Sequence, residues 1–350
     1  MIKLAVVILN WNGLGYLKRF MPGIIENSQG EQVKVWVVDN FSSDGSIEFL
    51  EEHFPEVSLM ELDWNYGFSG GYNRALDIIE AEYYILLNSD VEVTKGWTEP
   101  LLKLMEADPG IAACMPKVKD LNRKEYFEYA GAAGGFIDFM GYPFCRGRIF
   151  DVVEKDSGQY DNEYEIFWAT GACMMLRASD WHEAGGFDEK FFAHMEEIDL
   201  CWRFKNAGKN IRVVPSSVVY HHGGGTLPVS NPRKTWFNFR NSLLMLLKNL
   251  PDGKISLIFV RLLADWLSII KFLLSLSFAN ALAVVRAHIA FFSLVPYCLR
   301  KRSELRKTSG LSDHDEIYSK SIVIEFFLRK KKYFSMLDKD GFFSKALFSR

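Results

Sequence analysis

The sequence predicts an α/β fold: an open, mostly parallel sheet flanked by helices, with amphipathic helices added at the C-terminus. Three observations predict it. Apolar runs of strand length recur through the first ninety residues, as in parallel strands covered on both faces. Helical periodicity separates them, giving the β-α-β-α-β order of an open sheet. Polar clusters end the runs, where such sheets bind ligands. A chain of 350 residues accommodates one domain of about 200–250 residues plus an appendage.

The first run, residues 4–9, is too short for a signal peptide and ends in Asn10-Trp11-Asn12-Gly13. Residues 33–39 repeat the pattern and end in an acid. A helix start follows at 42–44, with Ile47, Leu50 and Phe54 at helical spacing. Residues 58–62 read as a third strand, 69–81 as a helix and 83–87 as a fourth strand ending at Asn88-Ser89-Asp90. Residues 110–165, rich in glycine around 131–135, read only as loop and strand. From 231 onward the chain turns apolar and aromatic. The expected division is a catalytic domain over 1–230, membrane-associating helices over 231–300 and a basic tail over 301–350.

The net charge of −3 gives no global field for nucleic acid. Residues 300–350 hold 13 Lys+Arg against 7 Asp+Glu, so a basic end follows an acidic body, a polarity that matches an anionic membrane surface. Five scattered cysteines without C-x-x-C spacing fit a reducing compartment.

Five segments carry candidate chemistry. Asp90, just past an apolar strand, can hold Mg or Mn beside a diphosphate, or can cap a turn. Asp39 can accept hydrogen bonds from a nucleobase or ribose, while residues 42–46 cap the next helix. Trp11 offers a stacking face or a core side chain. The glycines before Asn73 and Arg74 would let backbone N–H groups approach phosphate, although the Walker lysine pattern is absent. Glu196, Glu197 and Asp199 crowd the start of one helix, as a general base requires and as a solvated acidic helix start also would. His221 can ligate a metal through neutral imidazole, with the adjacent His222 facing the other way.

Taken in order, these segments resemble the family-2 glycosyltransferases, in the rhamnosyltransferase-like and galactofuranosyltransferase-like branch, over about residues 3–226. The resemblance implies a GT-A fold, with a Rossmann-like sheet. Trp11 and Asn12 match the step near the base, Asp39 the nucleoside acid, and Asn65, Asn73 and Arg74 a donor-binding turn. Asn88-Ser89-Asp90 matches the metal motif D-x-D with Asn in place of its first acid, leaving Asp90 as ligand and His221 to complete the site. Trp168, Thr170 and Gly171 match an acceptor loop. Glu197 aligns with the general base, supported by Glu196 and Asp199; the family's usual Asp is one carbon shorter.

The expected activity is inverting, Mn- or Mg-dependent transfer from a nucleoside diphosphate sugar to a glycan or lipid-linked glycan in cell-surface polysaccharide synthesis. dTDP-rhamnose is the first candidate donor, with UDP-linked hexoses open. A nucleotidyltransferase would need a basic loop after the first strand, and residues 10–15 hold no Lys or Arg. A processive synthase would show Q-x-x-R-W, which is absent. Retention of Asp39, Asp90, Glu197 and His221 argues against a non-catalytic scaffold.

The longest uncharged stretch between 255 and 299 is the 14 residues 272–285, short of the roughly 20 that a spanning helix needs. Arg261, Asp265, Ser268, Lys271 and Ser275 recur as one polar stripe beside a wide apolar face, the pattern of a helix lying in the membrane interface. The expected location is cytoplasmic, peripheral on the inner face of the cell membrane. Packing on the catalytic domain or in a homodimer is the alternative cover for these helices.

Overall fold

The computed structural model describes residues 2–223 and 231–342. Strands β1 (Leu4–Asn10), β2 (Val33–Asp39), β3 (Ser58–Glu61) and β4 (Tyr83–Asn88) lie in the order β3-β2-β1-β4, all parallel. Residues 4–8 are fully buried, because helices cover both faces, so an unbroken apolar run is what this position demands. The connecting helices are α1 (Leu14–Asn27), α2 (Ser46–His53) and α3 (Gly67–Leu76). The sequence pattern gave no sign of α1, whose interior Pro22 and Gly23 weaken the helix signal. α3 ends earlier than expected, where the chain turns over buried Ile79.

After β5 (Val91–Val93) and α4 (Thr98–Ala107), β6 (Ile111–Asp120) runs through the other half of the sheet. Four short strands follow, β7 (Gly135–Asp138), β8 (Pro143–Cys145), β9 (Arg148–Ile149) and β10 (Val152–Val153). Then come β11 (Tyr164–Glu165), β12 (Cys173–Arg177), α5 (Ala178–Ala184), α6 (Glu196–Asn206) and β13 (Asn210–His221). The main sheet continues β4-β12-β6-β13-β11, with β12 antiparallel to both its neighbours and β5 paired to β13. This layout carries Asp90, at the end of β4, beside His221, at the end of β13.

The glycine-rich interval builds a second sheet, β10-β9-β8-β7-β14, whose last strand, β14 (Ile317–Tyr318), comes from the far end of the chain. A Cβ on Gly135 would stand 2.1 Å from the Trp168 indole. Glycine there is the condition for packing the small sheet on the large one.

The C-terminal helices are α7 (Pro232–Asn249), α8 (Leu257–Leu274), α9 (Phe278–Thr308) and α10 (Ile322–Phe327). They depart from the expected division in two ways. First, α7 belongs to the catalytic body: residues 243–246 are fully buried, and Lys248 donates to Asp188 at 2.6 Å and to Asp199 at 3.0 Å. Second, residues 301–342 are folded rather than a free tail. β14 pairs with β7, and the Ile322 N–H donates to Asp138 Oδ2 at 3.0 Å. The polar stripe of α8 divides too. Arg261 and Asp265 turn inward and are 3% and 0% exposed, whereas Lys271 and Ser275 face out.

Candidate active site

Three loops at the carboxyl ends of the parallel strands interlock. Asn10 Nδ2 donates to Asp39 Oδ1 at 3.0 Å, and Asp39 Oδ2 accepts from the Ser42 N–H at 2.7 Å. Asp39 is 1% exposed. Each of its oxygens accepts one of these bonds and so helps organise the loop, and each keeps a lone pair for a further donor. Asn12, in the left-handed region at φ 50°, donates its N–H to Ser42 Oγ and accepts from the Ser43 N–H, both at 2.8 Å. Trp11 therefore projects, half exposed. Two further aromatics stand exposed at this end, Phe41 and Trp64, with ring centroids 5.7 Å apart. Sequence reasoning did not single them out.

The glycine-rich turn is held by its own network of hydrogen bonds. Asn65 Oδ1 accepts from the Gly67 N–H at 2.9 Å and from Asn40 Nδ2 at 3.2 Å. The first N–H groups of α3, from Phe68 and Ser69, donate to the Phe192 carbonyl at 2.8 and 3.2 Å. A helix start whose donors are satisfied this way offers less to a phosphate. Asn73 bonds the Phe187 backbone with both ends of its amide, at 2.9 Å each. Arg74 pairs with Glu189 at 2.9 Å and stacks on Tyr66. Asn73 and Arg74 thus brace residues 186–189 rather than standing free for a donor.

Phe192 belongs to a strained entry into α6. Phe192, His194 and Met195 all have φ between 65° and 73°, unusual for residues with a Cβ. From α7, Asn241 holds this segment by donating Nδ2 to the carbonyls of Phe191, Ala193 and His194 at 2.7–3.0 Å, and Arg240 Nη2 adds those of Lys190 and Phe191. Their polarity inside an apolar segment was the available signal, but their partners lie some fifty positions away.

The entry delivers two carboxylates. Glu196 is buried and Glu197 half-buried, and each has a buried Oε2 with no hydrogen-bond partner. Burial pushes the Glu197 carboxyl up to about 7, although backbone N–H groups at the helix start oppose it. Burial first, then the Glu197 and Asp199 charges, pushes Glu196 well above the usual range. Asp199 has another role. It is fully buried and accepts from Arg203 at 3.0 Å, Lys248 at 3.0 Å and Asn249 at 2.9 Å, which ties α6 to α7.

The expected acceptor loop also splits. Trp168 is 3% exposed, with its indole N–H on the Phe136 carbonyl at 2.9 Å, and Thr170 is 2% exposed. Both are core residues joining the two sheets. Gly171 is the part of the loop that reaches the site: its Cβ position lies 3.9 Å from Glu197 Cβ. The next residue, Ala172, accepts from the Asn88 N–H at 3.0 Å. One turn thus separates Glu197 from the half-buried Asn88-Ser89 step and from Asp90.

Asp90 is 8% exposed, and its Oδ1 lies 3.1 Å from His221 Nε2. His221 Nδ1 faces Glu128 Oε1 at 3.3 Å. Burial disfavours a charged imidazole, but Glu128 and then Asp90 outweigh it and raise His221 to about 10. Burial would raise Asp90, yet His221 holds it below the usual carboxylate range. Glu128, in the irregular interval, carried no sequence signal.

Two donors on adjacent positions of a small divalent ion lie about 3 Å apart, given bonds of about 2.1 Å, and the Asp90–His221 separation matches. A carboxylate on the far nitrogen of a ligating histidine is the usual way its tautomer is fixed. Among the described residues no cluster of three His, Cys, Asp or Glu side chains forms a closed metal cage. Asp90 and His221 therefore fit an ion whose remaining positions fall to ligand oxygens. The Gly224–Thr226 end of the histidine motif lies outside the described residues.

Comparisons with known proteins place this arrangement. The chain is 27% identical over 234 residues to an N-acetylglucosaminyl-diphospho-decaprenol L-rhamnosyltransferase of Mycobacterium tuberculosis (strain ATCC 25618 / H37Rv), covering 63% of this chain and 76% of that protein. It is 24% identical over 224 residues to rhamnosyltransferase WbbL of Escherichia coli (strain K12), covering 62% and 82%. In fold it is similar to GalNAc-T7 crystallised with UDP, GalNAc and Mn2+, with a TM-score of 0.57 and 16% identity, over 73% of this chain and half of that one. It is also similar to S. aureus TarS 1-349 in complex with UDP-GlcNAc, with a TM-score of 0.53 and 15% identity, over 95% and 93%. The fold is GT-A, as expected. A family model described as Glycosyl transferase family 2 matches residues 5–180, half of the chain and the whole run from β1 into α5, and the chain belongs to that family.

Proposed function

We propose that the protein inverts the anomeric centre as it moves a sugar, with rhamnose the first candidate, from a nucleoside diphosphate to a glycan or lipid-linked glycan of the cell surface. The observation that carries this reading is the buried Oε2 of Glu197, which has no hydrogen-bond partner, beside the Gly171–Ala172 turn that bonds the strand end leading to Asp90. The names of the relatives, two of them rhamnosyltransferases and one acting on a decaprenol diphosphate, support the sugar and the acceptor class.

The Glu197 carboxylate accepts the proton of the acceptor hydroxyl, whose oxygen then attacks the anomeric carbon as the diphosphate leaves. One displacement gives inversion. A carboxyl near 7 is ionised often enough to act and basic enough to take a proton. Asp90 and His221 would hold Mn or Mg, and the ion supplies positive charge beside the diphosphate. Glu128, 3.3 Å from His221 Nδ1, would help hold the imidazole with Nε2 toward Asp90. Trp11 offers its exposed face to the base. Solved GT-A neighbours that hold Mn2+ support the cofactor.

The test is release of nucleoside diphosphate from dTDP-rhamnose and UDP-sugars, with Mn and with a chelator, followed by NMR of the product's anomeric configuration. Chelator-sensitive release and an inverted product are expected. Retained configuration, or turnover indifferent to chelator, would overturn the reading.

A further inference from the structure

The outer face of α8 and α9 reverses the usual order of a surface helix. Two of the three charges of α8, Arg261 and Asp265, point inward. Arg261 Nε pairs with Asp265 Oδ1 at 2.8 Å, Arg261 Nη1 donates to the Met140 carbonyl at 2.8 Å, and His288 Nε2 lies 3.2 Å from Asp265 Oδ2. The apolar residues point outward: Phe259, Leu267, Leu274, Leu276, Phe278 and Ile289 are each 62–82% exposed. A continuous apolar face of this kind is a docking surface, because water-facing patches of that extent are rare.

Its charges identify what covers it. Between residues 255 and 299 the exposed charged side chains are Lys271 and Arg286, and the one acid, Asp265, is buried. A two-fold contact between copies would set cations against a face with no carboxylate to meet them. Lipid phosphates meet them directly. Thr235 Oγ1, at the start of α7, donates to Asn280 Oδ1 at 2.6 Å, which fixes the α8–α9 tip against α7. α9 is long and apolar enough to cross a membrane by length and composition, but Arg302 bonds the Leu247 carbonyl at 3.1 Å and Asp252 at 2.7 Å, which holds the helix along the body.

We propose that this face docks into an anionic bilayer, with hydrocarbon taking the leucines and phenylalanines and headgroup phosphates meeting Lys271 and Arg286. The proposal deepens the reading of a lipid-linked acceptor and is tested without turnover. The full chain is floated with vesicles of phosphatidylcholine, alone or mixed with phosphatidylglycerol. Wild-type protein is expected to prefer the anionic vesicles. Leu267→Glu with Leu274→Glu is expected to weaken binding about a hundredfold or more, and Lys271→Glu with Arg286→Glu about tenfold or more. Melting curves and donor hydrolysis by the same variants, all outside the active site, separate binding from folding. Vesicle binding without any transferase activity would sink the proposed function and leave this proposal standing. Absence of vesicle binding, binding untouched by the variants, or a lipid-free dimer that the leucine variant splits would overturn it; the last would assign the face to a second copy.

Discussion

Replacing Glu197 by Gln keeps the side chain's size and removes its ability to take a proton. The lost base should lower kcat by about 10²–10⁴, or roughly 3–5 kcal/mol in the barrier. Donor KM should hold, because Glu197 is not among the partners of Asp90 or His221. The pH profile supplies a second reading. With the carboxyl at about 7, wild-type kcat should rise through that value and level off, while the residual rate of the variant should be flat. Stability moves the other way. The folded carboxyl titrates above its unfolded value, so its ionisation costs the native state stability as pH rises through about 7. Glu197→Gln escapes that loss and should melt no lower than wild type at alkaline pH. Asp199→Asn is the control. It weakens the partner of two buried cations, Arg203 and Lys248, and should cost up to about 3–5 kcal/mol of stability with near-normal turnover per folded molecule. Nucleotide release and thermal melting across pH measure both. If Glu197→Gln keeps wild-type turnover while folded Asp199→Asn is dead, the assignment of the base is wrong.

Three further outcomes are expected. Asp90→Ala should abolish Mn-dependent nucleotide release and leave only the chelator-insensitive background. Glu128→Gln should weaken Mn binding about 10- to 100-fold by calorimetry; in wild type, affinity should rise with pH toward about 10, because the ion must displace the His221 proton. Asn241→Leu leaves the Ala193 and His194 carbonyls without this donor, while Phe191 keeps Arg240, and should cost about 1–3 kcal/mol by thermal melting, with kcat falling further than donor affinity.

The parallel half of the fold was legible because burial on both faces imposes a local pattern: β1 and β4 had to be apolar runs, and β2 follows them apart from Lys34 in its half-buried first part. The acids at their ends were legible for the same reason. The pairing of Asp90 with His221, 131 positions apart, came only through the family resemblance. Composition misled over α7, whose apolar residues suggested a membrane. Its Arg240, Asn241, Lys248 and Asn249 instead satisfy carbonyls and acids brought near by the tertiary fold. Glu128 sits in an interval with no periodicity, so nothing local marked it. Trp168 shows the converse: a tryptophan in the matching loop position is core once its indole finds the Phe136 carbonyl. Asn73 and Arg74 matched a donor motif, yet their partners at 187 and 189 are visible only in three dimensions.

The pairing of β14 with β7 has a consequence for how the protein is made. Ile317 meets Ile137, 180 positions away along the chain, so the small sheet stays open until residue 317 has left the ribosome. The parallel strands can assemble long before. During that interval the edge of β7 and the apolar faces of α8 and α9 are exposed together, a state prone to wrong pairing. Removing β14 would therefore leave the small sheet in that open state, although β14 carries none of the candidate site residues.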